Sequence, residues 1–119
     1  MGLSRKISEE VALITADGKL MGGPETCSLC KKVEELENDG YKKIVIDLSG
    51  VQWANSTAIG ALIKSYLQAR DRGCDLCFTC LSERVRYYMT ITKLINVIPI
   101  FESLDDALIA PSMHSGQAC

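Results

Sequence analysis

Asn55, Ser56 and Thr57 stand in a row where an apolar helical pattern begins just after an apolar strand pattern. A helix that opens on such residues presents unpaired backbone N–H groups and the positive end of its dipole, and negative charge is favoured there. That chemistry suits a ligand, a partner, or a phosphate added covalently. Six cysteines are the next candidates, because Cys27-x-x-Cys30 and Cys74-x-x-Cys77 have the spacing of a zinc half-site or a redox pair. Local patterning argues against both. Cys27 and Cys30 fall in the first turns of a helix after Pro24, not at the end of a strand as the redox motif needs. Along a strand, Cys74 and Cys80 share one face and Cys77 takes the other, so the three cannot converge on a metal. The expectation is free thiols, buried or half-buried, behaving as small hydrophobes.

A catalytic set does not assemble. The single histidine, His114, falls in a C-terminal tail that reads as flexible. No glycine-rich phosphate cradle occurs. The acid pairs Glu9-Glu10, Glu34-Glu35 and Asp105-Asp106 read as hydrated faces or helix caps. Ser49 comes two residues after Asp47, with no third partner in sight. No enzyme activity, no metal and no cofactor is expected.

The elements that must position these residues are set by periodicity. Lys43 to Leu48 places three β-branched residues in succession, as in a strand buried on both faces. A short polar connection holding Ser49 and Trp53 comes next. Ile59, Leu62, Ile63 and Tyr66 then recur at helical spacing, and Arg70, Arg72 and Gly73 stop that helix. Upstream, 5–8 and 11–16 read as an antiparallel strand pair ended by Asp17-Gly18, and Pro24 opens a helix with Leu29, Val33 and Leu36 inward. Downstream, 74–81 is a strand, Ser82 caps a helix with Val85, Tyr88 and Met89 inward, and 96–101 is a short edge strand holding Pro99. Ser103 caps a last helix to about Ile109.

This order predicts an α/β fold: a mostly parallel sheet of about five strands, an antiparallel edge strand and about four helices. The domain spans 1–110, with a flexible tail at 111–119. Working surfaces of such sheets lie beyond the carboxyl ends of the strands. Ser49 to Thr57 lies at one such end, and Ala16 to Pro24, with Met21 and Gly22, is expected beside it.

The 119 residues carry a net charge of −2, with 24% charged residues. That balance gives no basis for binding nucleic acid through counterion release. Apolar stretches are interrupted well before a membrane-spanning length. The opening MGLSRKIS lacks an apolar signal core and has Lys6 where myristoylation needs Ser or Thr. A cytoplasmic protein, monomeric or weakly dimeric, is the expectation.

The run IVIDLSGVQWANSTAIGALIKSY resembles the signature of the STAS domain, the module of anti-sigma factor antagonists and of sulphate-transporter tails. Asp47 and Leu48 match the family's strand end, Ser56 its phosphorylatable serine, and Thr57, Ala58, Ile59 and Gly60 the residues after that serine. Asn55 departs from the pattern, standing where the antagonists usually have Asp, and Lys19-Leu20-Met21 lacks an acid often found there. The resemblance implies partner switching. The unmodified protein binds a serine kinase that is also an anti-sigma factor, phosphorylation at Ser56 ends the binding, and a phosphatase restores it. Asn55, Ser56, Thr57, Trp53, Ser49, Met21 and Gly22 form the expected partner surface. The two departures favour an alternative, a STAS scaffold or transport-complex module that binds without being phosphorylated. A thiol-based sensor using Cys27, Cys30 and the 74–80 cysteines is a third reading.

Overall fold

A computed structural model describes residues 2–7, 10–93, 96 and 98–109, with the side chains of 2–6 and 109 left aside. Ser8, Glu9 and the expected tail, with His114 and Cys119, lie outside the described residues. The strands are β1 (Gly2–Lys6), β2 (Val11–Leu20), β3 (Lys43–Ala54), β4 (Asp75–Thr79) and β5 (Ile100–Phe101). The helices are α1 (Pro24–Asn38), α2 (Ser56–Asp71), α3 (Glu83–Ile91) and α4 (Leu104–Ile109). The sheet runs β1-β2-β3-β4-β5, with β1 antiparallel to β2 and every other pairing parallel. The expected α/β architecture is therefore present, antiparallel edge included.

Burial on both faces of β3 explains its unbroken apolar run. Ile44, Ile46 and Leu48 enter the larger core with Leu29, Val33 and Leu36 of α1, Ile59 and Leu62 of α2, and Val85 and Met89 of α3. Val45 points the other way, to Leu13, Cys77 and Ala107, where Leu104 and Leu108 of α4 close the smaller core. Each such side chain fully removed from water contributes roughly 1.5–3 kcal/mol. Helix ends are secured as their residues suggest: Ser82 Oγ accepts the Val85 N–H at 3.3 Å and Ser103 Oγ the Asp106 N–H at 3.2 Å. Arg72, at the end of α2, donates to Glu37 of α1 at 2.9 Å, joining the two long helices.

Strand limits differ from the expectation in an instructive way. β2 does not end at Asp17-Gly18 but continues to Leu20, with Gly18 in the left-handed region at φ 84°. β3 does not end at Leu48 but continues to Ala54, so Ser49 and Trp53 are strand residues. The pairing shows why. Thr15 faces Asp47 but Asp17 faces Gly50, and Gly18 faces Val51 but Lys19 faces Trp53. β3 thus carries one extra residue at each of two bulges, and each bulge turns the side-chain alternation over. Leu48, Val51 and Ala54 all reach the same core, three apart instead of two. Gly50 sits where a Cβ would come within 2.9 Å of the Asp17 Cβ, so the bulge closes tightly on β2. The other strands are shorter or shifted: β1 begins earlier than Arg5, β4 is Asp75–Thr79, and β5 is reduced to two residues beside Pro99.

Candidate functional site

Asn55 is the N-cap of α2, and its side chain makes two bonds of different kinds. Its Oδ1 accepts the Ala58 N–H at 2.9 Å, and its Nδ2 donates to the Met21 carbonyl at 3.0 Å. The Asn55 backbone N–H donates to the Leu20 carbonyl, also at 3.0 Å. One residue therefore ends β3, starts α2 and ties both to the connection after β2. Gly22 completes the junction: it lies at φ 88°, and a Cβ there would stand 2.5 Å from Thr57 Cγ2. Thr26, buried in the first turn of α1, accepts the Gly22 N–H at 3.0 Å. The two connections beyond the strand ends are thus adjacent, as expected, and locked to one another.

Ser56 occupies the first position of α2, exposed, as is Thr57. Their backbone N–H groups, and the Ser56 hydroxyl, have no hydrogen-bond partner among the described residues. An exposed hydroxyl beside open N–H donors at a dipole's positive end is a place where an added anion gains rather than strains. Asn55, Ser56, Thr57, Met21 and Gly22 form one surface. Ser49 stands apart from it: it is exposed within β3, its N–H bonded to Asp47 at 2.8 Å, on the order of 15 Å from the strand's end at the usual rise per residue.

Trp53 faces α3. Its ring meets Tyr88 edge-on at 6.1 Å between centroids, and the Arg84 guanidinium stands 5.8 Å from the indole centroid. These half-buried rings adjoin the exposed Met21, Tyr87 and Ile91, and with Lys19 and Arg84 they surround a groove of about 530 Å³. Sequence reasoning singles out Trp53 and Met21 but misses Arg84, Tyr87, Lys19 and the buried Thr26. Arg84 and Tyr88 are four apart on one helix face, which pairs them with each other. Nothing in their spacing points to Trp53, far upstream on another element.

The cysteines are dispersed. Cys74 joins the larger core and Cys77 the smaller, on opposite sides of the sheet. Burial pushes both thiols up to about 12, which keeps them protonated and unreactive near neutrality. Cys80 leaves β4 at φ 62° and is half-buried. Cys27 is exposed and Cys30 half-buried, both free, along a groove between α1 and α2. Among the described residues no three His, Cys, Asp or Glu are grouped to hold a metal. No helix among them is long and apolar enough to cross a membrane.

A Thermotoga neapolitana protein named for anti-sigma factor antagonism is 29% identical over 105 residues, covering 87% of this chain and 91% of its own length. The crystal structure of an anti-sigma factor antagonist from Mycobacterium paratuberculosis superposes with a TM-score of 0.76 at 22% identity, over 91% of this chain and 90% of that one. The phosphorylated form of the Bacillus cell fate determinant SpoIIAA superposes at 0.70 with 11% identity, over 92% of this chain and 96% of that one. These structures share the fold, and the family model for the STAS domain matches residues 3–107. With its sheet order and its crossover into α2 already in place, the chain belongs to the STAS domain family and resembles the anti-sigma factor antagonists within it.

Proposed function

We propose that this protein is an anti-sigma factor antagonist that binds a serine kinase acting also as an anti-sigma factor, and that phosphorylation at Ser56 ends the binding until a phosphatase removes it. It performs no reaction of its own. The observation that carries this reading is the exposed Ser56 hydroxyl on a surface locked by Asn55 and Gly22. SpoIIAA, similar in fold, is known in both phosphorylated and unphosphorylated forms. A phosphate adds about −1.5 to −2 charge at a helix start able to accept it, so this domain need not rearrange. The penalty falls on the partner. Two like charges about 4 Å apart repel by roughly 4 kcal/mol at an effective dielectric near 20, and about 1.4 kcal/mol is tenfold in affinity.

Asn55 bears on the second reading, a scaffold module that binds without being phosphorylated. Its amide donates to Met21, a bond that a carboxylate could not make. Architecture alone therefore accounts for the residue, and no kinase is needed to explain it. Pull-down from the native cell with phosphopeptide mapping of the bound protein separates the two. Recovery of a kinase with Ser56 modified supports the switch; recovery of a transporter or scaffold with Ser56 unmodified replaces it with the second reading. In the switch, Ser56→Ala stays bound to the kinase under phosphorylating conditions, whereas Ser56→Asp loses binding with its melting temperature unchanged.

A further inference from the structure

We propose that the groove between the end of β3 and α3 is a binding site for a small amphipathic carboxylate, an acyl or aryl body carrying one anionic head. Five large apolar side chains are exposed among the described residues, and three of them, Met21, Tyr87 and Ile91, meet here. At about 530 Å³ the groove is within the range of small-ligand sites, roughly 300–1,000 Å³. Its aromatic wall is pre-formed, since Trp53 and Tyr88 already hold each other edge to face.

The charge at its rim is what selects the head group. The chain is net negative, yet the charged residues lining the groove, Lys19 and Arg84, are both cations. Neither is paired with a carboxylate among the described residues, and Arg84 rests against the Trp53 ring. A guanidinium placed beside a ring and short of an acid offers its fork to a carboxylate while the body of that ligand lies on the rings. The groove shares Met21 with the surface that carries Ser56, and its cations, Lys19 and Arg84, are separate from that hydroxyl.

Trp53 is the only tryptophan, so its emission reads the groove directly. The full-length protein is titrated with decanoate below its micelle concentration, and with decyltrimethylammonium, which has the same tail and the opposite charge. Saturable change in emission with decanoate, and binding about tenfold weaker for the cation (about 1.4 kcal/mol), is the expected result. Arg84→Gln combined with Lys19→Gln should remove that preference while leaving the fold intact by circular dichroism. Absence of saturable change with decanoate overturns the proposal, as does equal binding of the two amphiphiles. Concentration-dependent dimerisation that changes Trp53 emission without any ligand overturns it too, because the occupant is then a second copy of the chain.

Discussion

Lys43–Leu48 and Ser49–Ala54 are consecutive halves of one strand that answer to different constraints. In the first half every residue from Ile44 to Ile46 is sealed, and the pairing with β2 is regular. In the second half two bulges break the alternation, and outward-facing residues appear in adjacent pairs, Ser49 with Gly50 and Gln52 with the half-buried Trp53. The first half holds the fold together. The second half keeps its hydrogen-bonded ladder but aims its side chains, ending in the cap that carries Ser56. Bulges separate these duties because each extra residue turns the later side chains to the opposite face without ending the strand.

The contrast breaks most visibly in the regular half. Ile46→Ala empties a site that is 0% exposed, and should cost about 2–5 kcal/mol in denaturant unfolding. Gln52→Ala, at the exposed extra residue of the second bulge, should stay within about 0.5 kcal/mol in the same assay; an equal loss at both positions would erase the distinction. Gly22→Ala comes next. It must hold a left-handed backbone, at roughly 1–2 kcal/mol, and its methyl meets Thr57 Cγ2. Thr57→Ala in the same chain should recover the steric part and leave the backbone part, which a double-mutant cycle measures.

Smaller still is Asn55→Asp. The carboxylate keeps the Ala58 N–H and gains about 0.3–1 kcal/mol from the helix dipole. It forfeits the bond to Met21, worth about 0.5–1.5 kcal/mol net. The two nearly cancel, so the melting temperature should barely move while amide exchange rises in the 21–23 connection. Unchanged exchange there would show that the Asn55 clamp does not hold the loop.

The buried thiols sharpen the same distinction between sealed and exposed positions. Burial raises Cys74 and Cys77 from 9.0 to about 12, so the folded state holds protons that the unfolded chain has released. Their contribution is complete below pH 9.0 and is lost as pH rises from there toward about 12, so unfolding free energy should fall across that window. Alkylation under mildly alkaline, native conditions should label Cys27 before either buried thiol. Mass mapping that finds Cys77 modified first would contradict its placement.

Legibility in the sequence divides along the same line. Ile44–Leu48, the α2 stripe and the caps Ser82 and Ser103 are readable because local periodicity and capping chemistry act over a few residues. Ser49 to Ala54 reads as a loop because a bulge destroys the period that marks a strand, leaving only its pairing with β2 to identify it. Asp17-Gly18 reads as a turn for the same reason, though Gly18 there serves the irregular edge of a longer strand. Asn55 stands out in the sequence as part of a polar helix start and as a departure from a family pattern. That its amide reaches Met21, thirty-four residues earlier, has no local signature.

By itself, the order of residues determined the alternation of strands and helices, the parallel sheet that alternation demands, and a hydroxyl at the start of the helix after the central strand. Those are consequences of backbone propensity and of apolar spacing along a few turns. Only the tertiary structure decided that two separate connections are bolted together by one amide and that Trp53 meets Arg84 and Tyr88 beside a groove. Each of these joins residues distant along the chain, and their distances are set by how whole elements pack rather than by any neighbour in sequence.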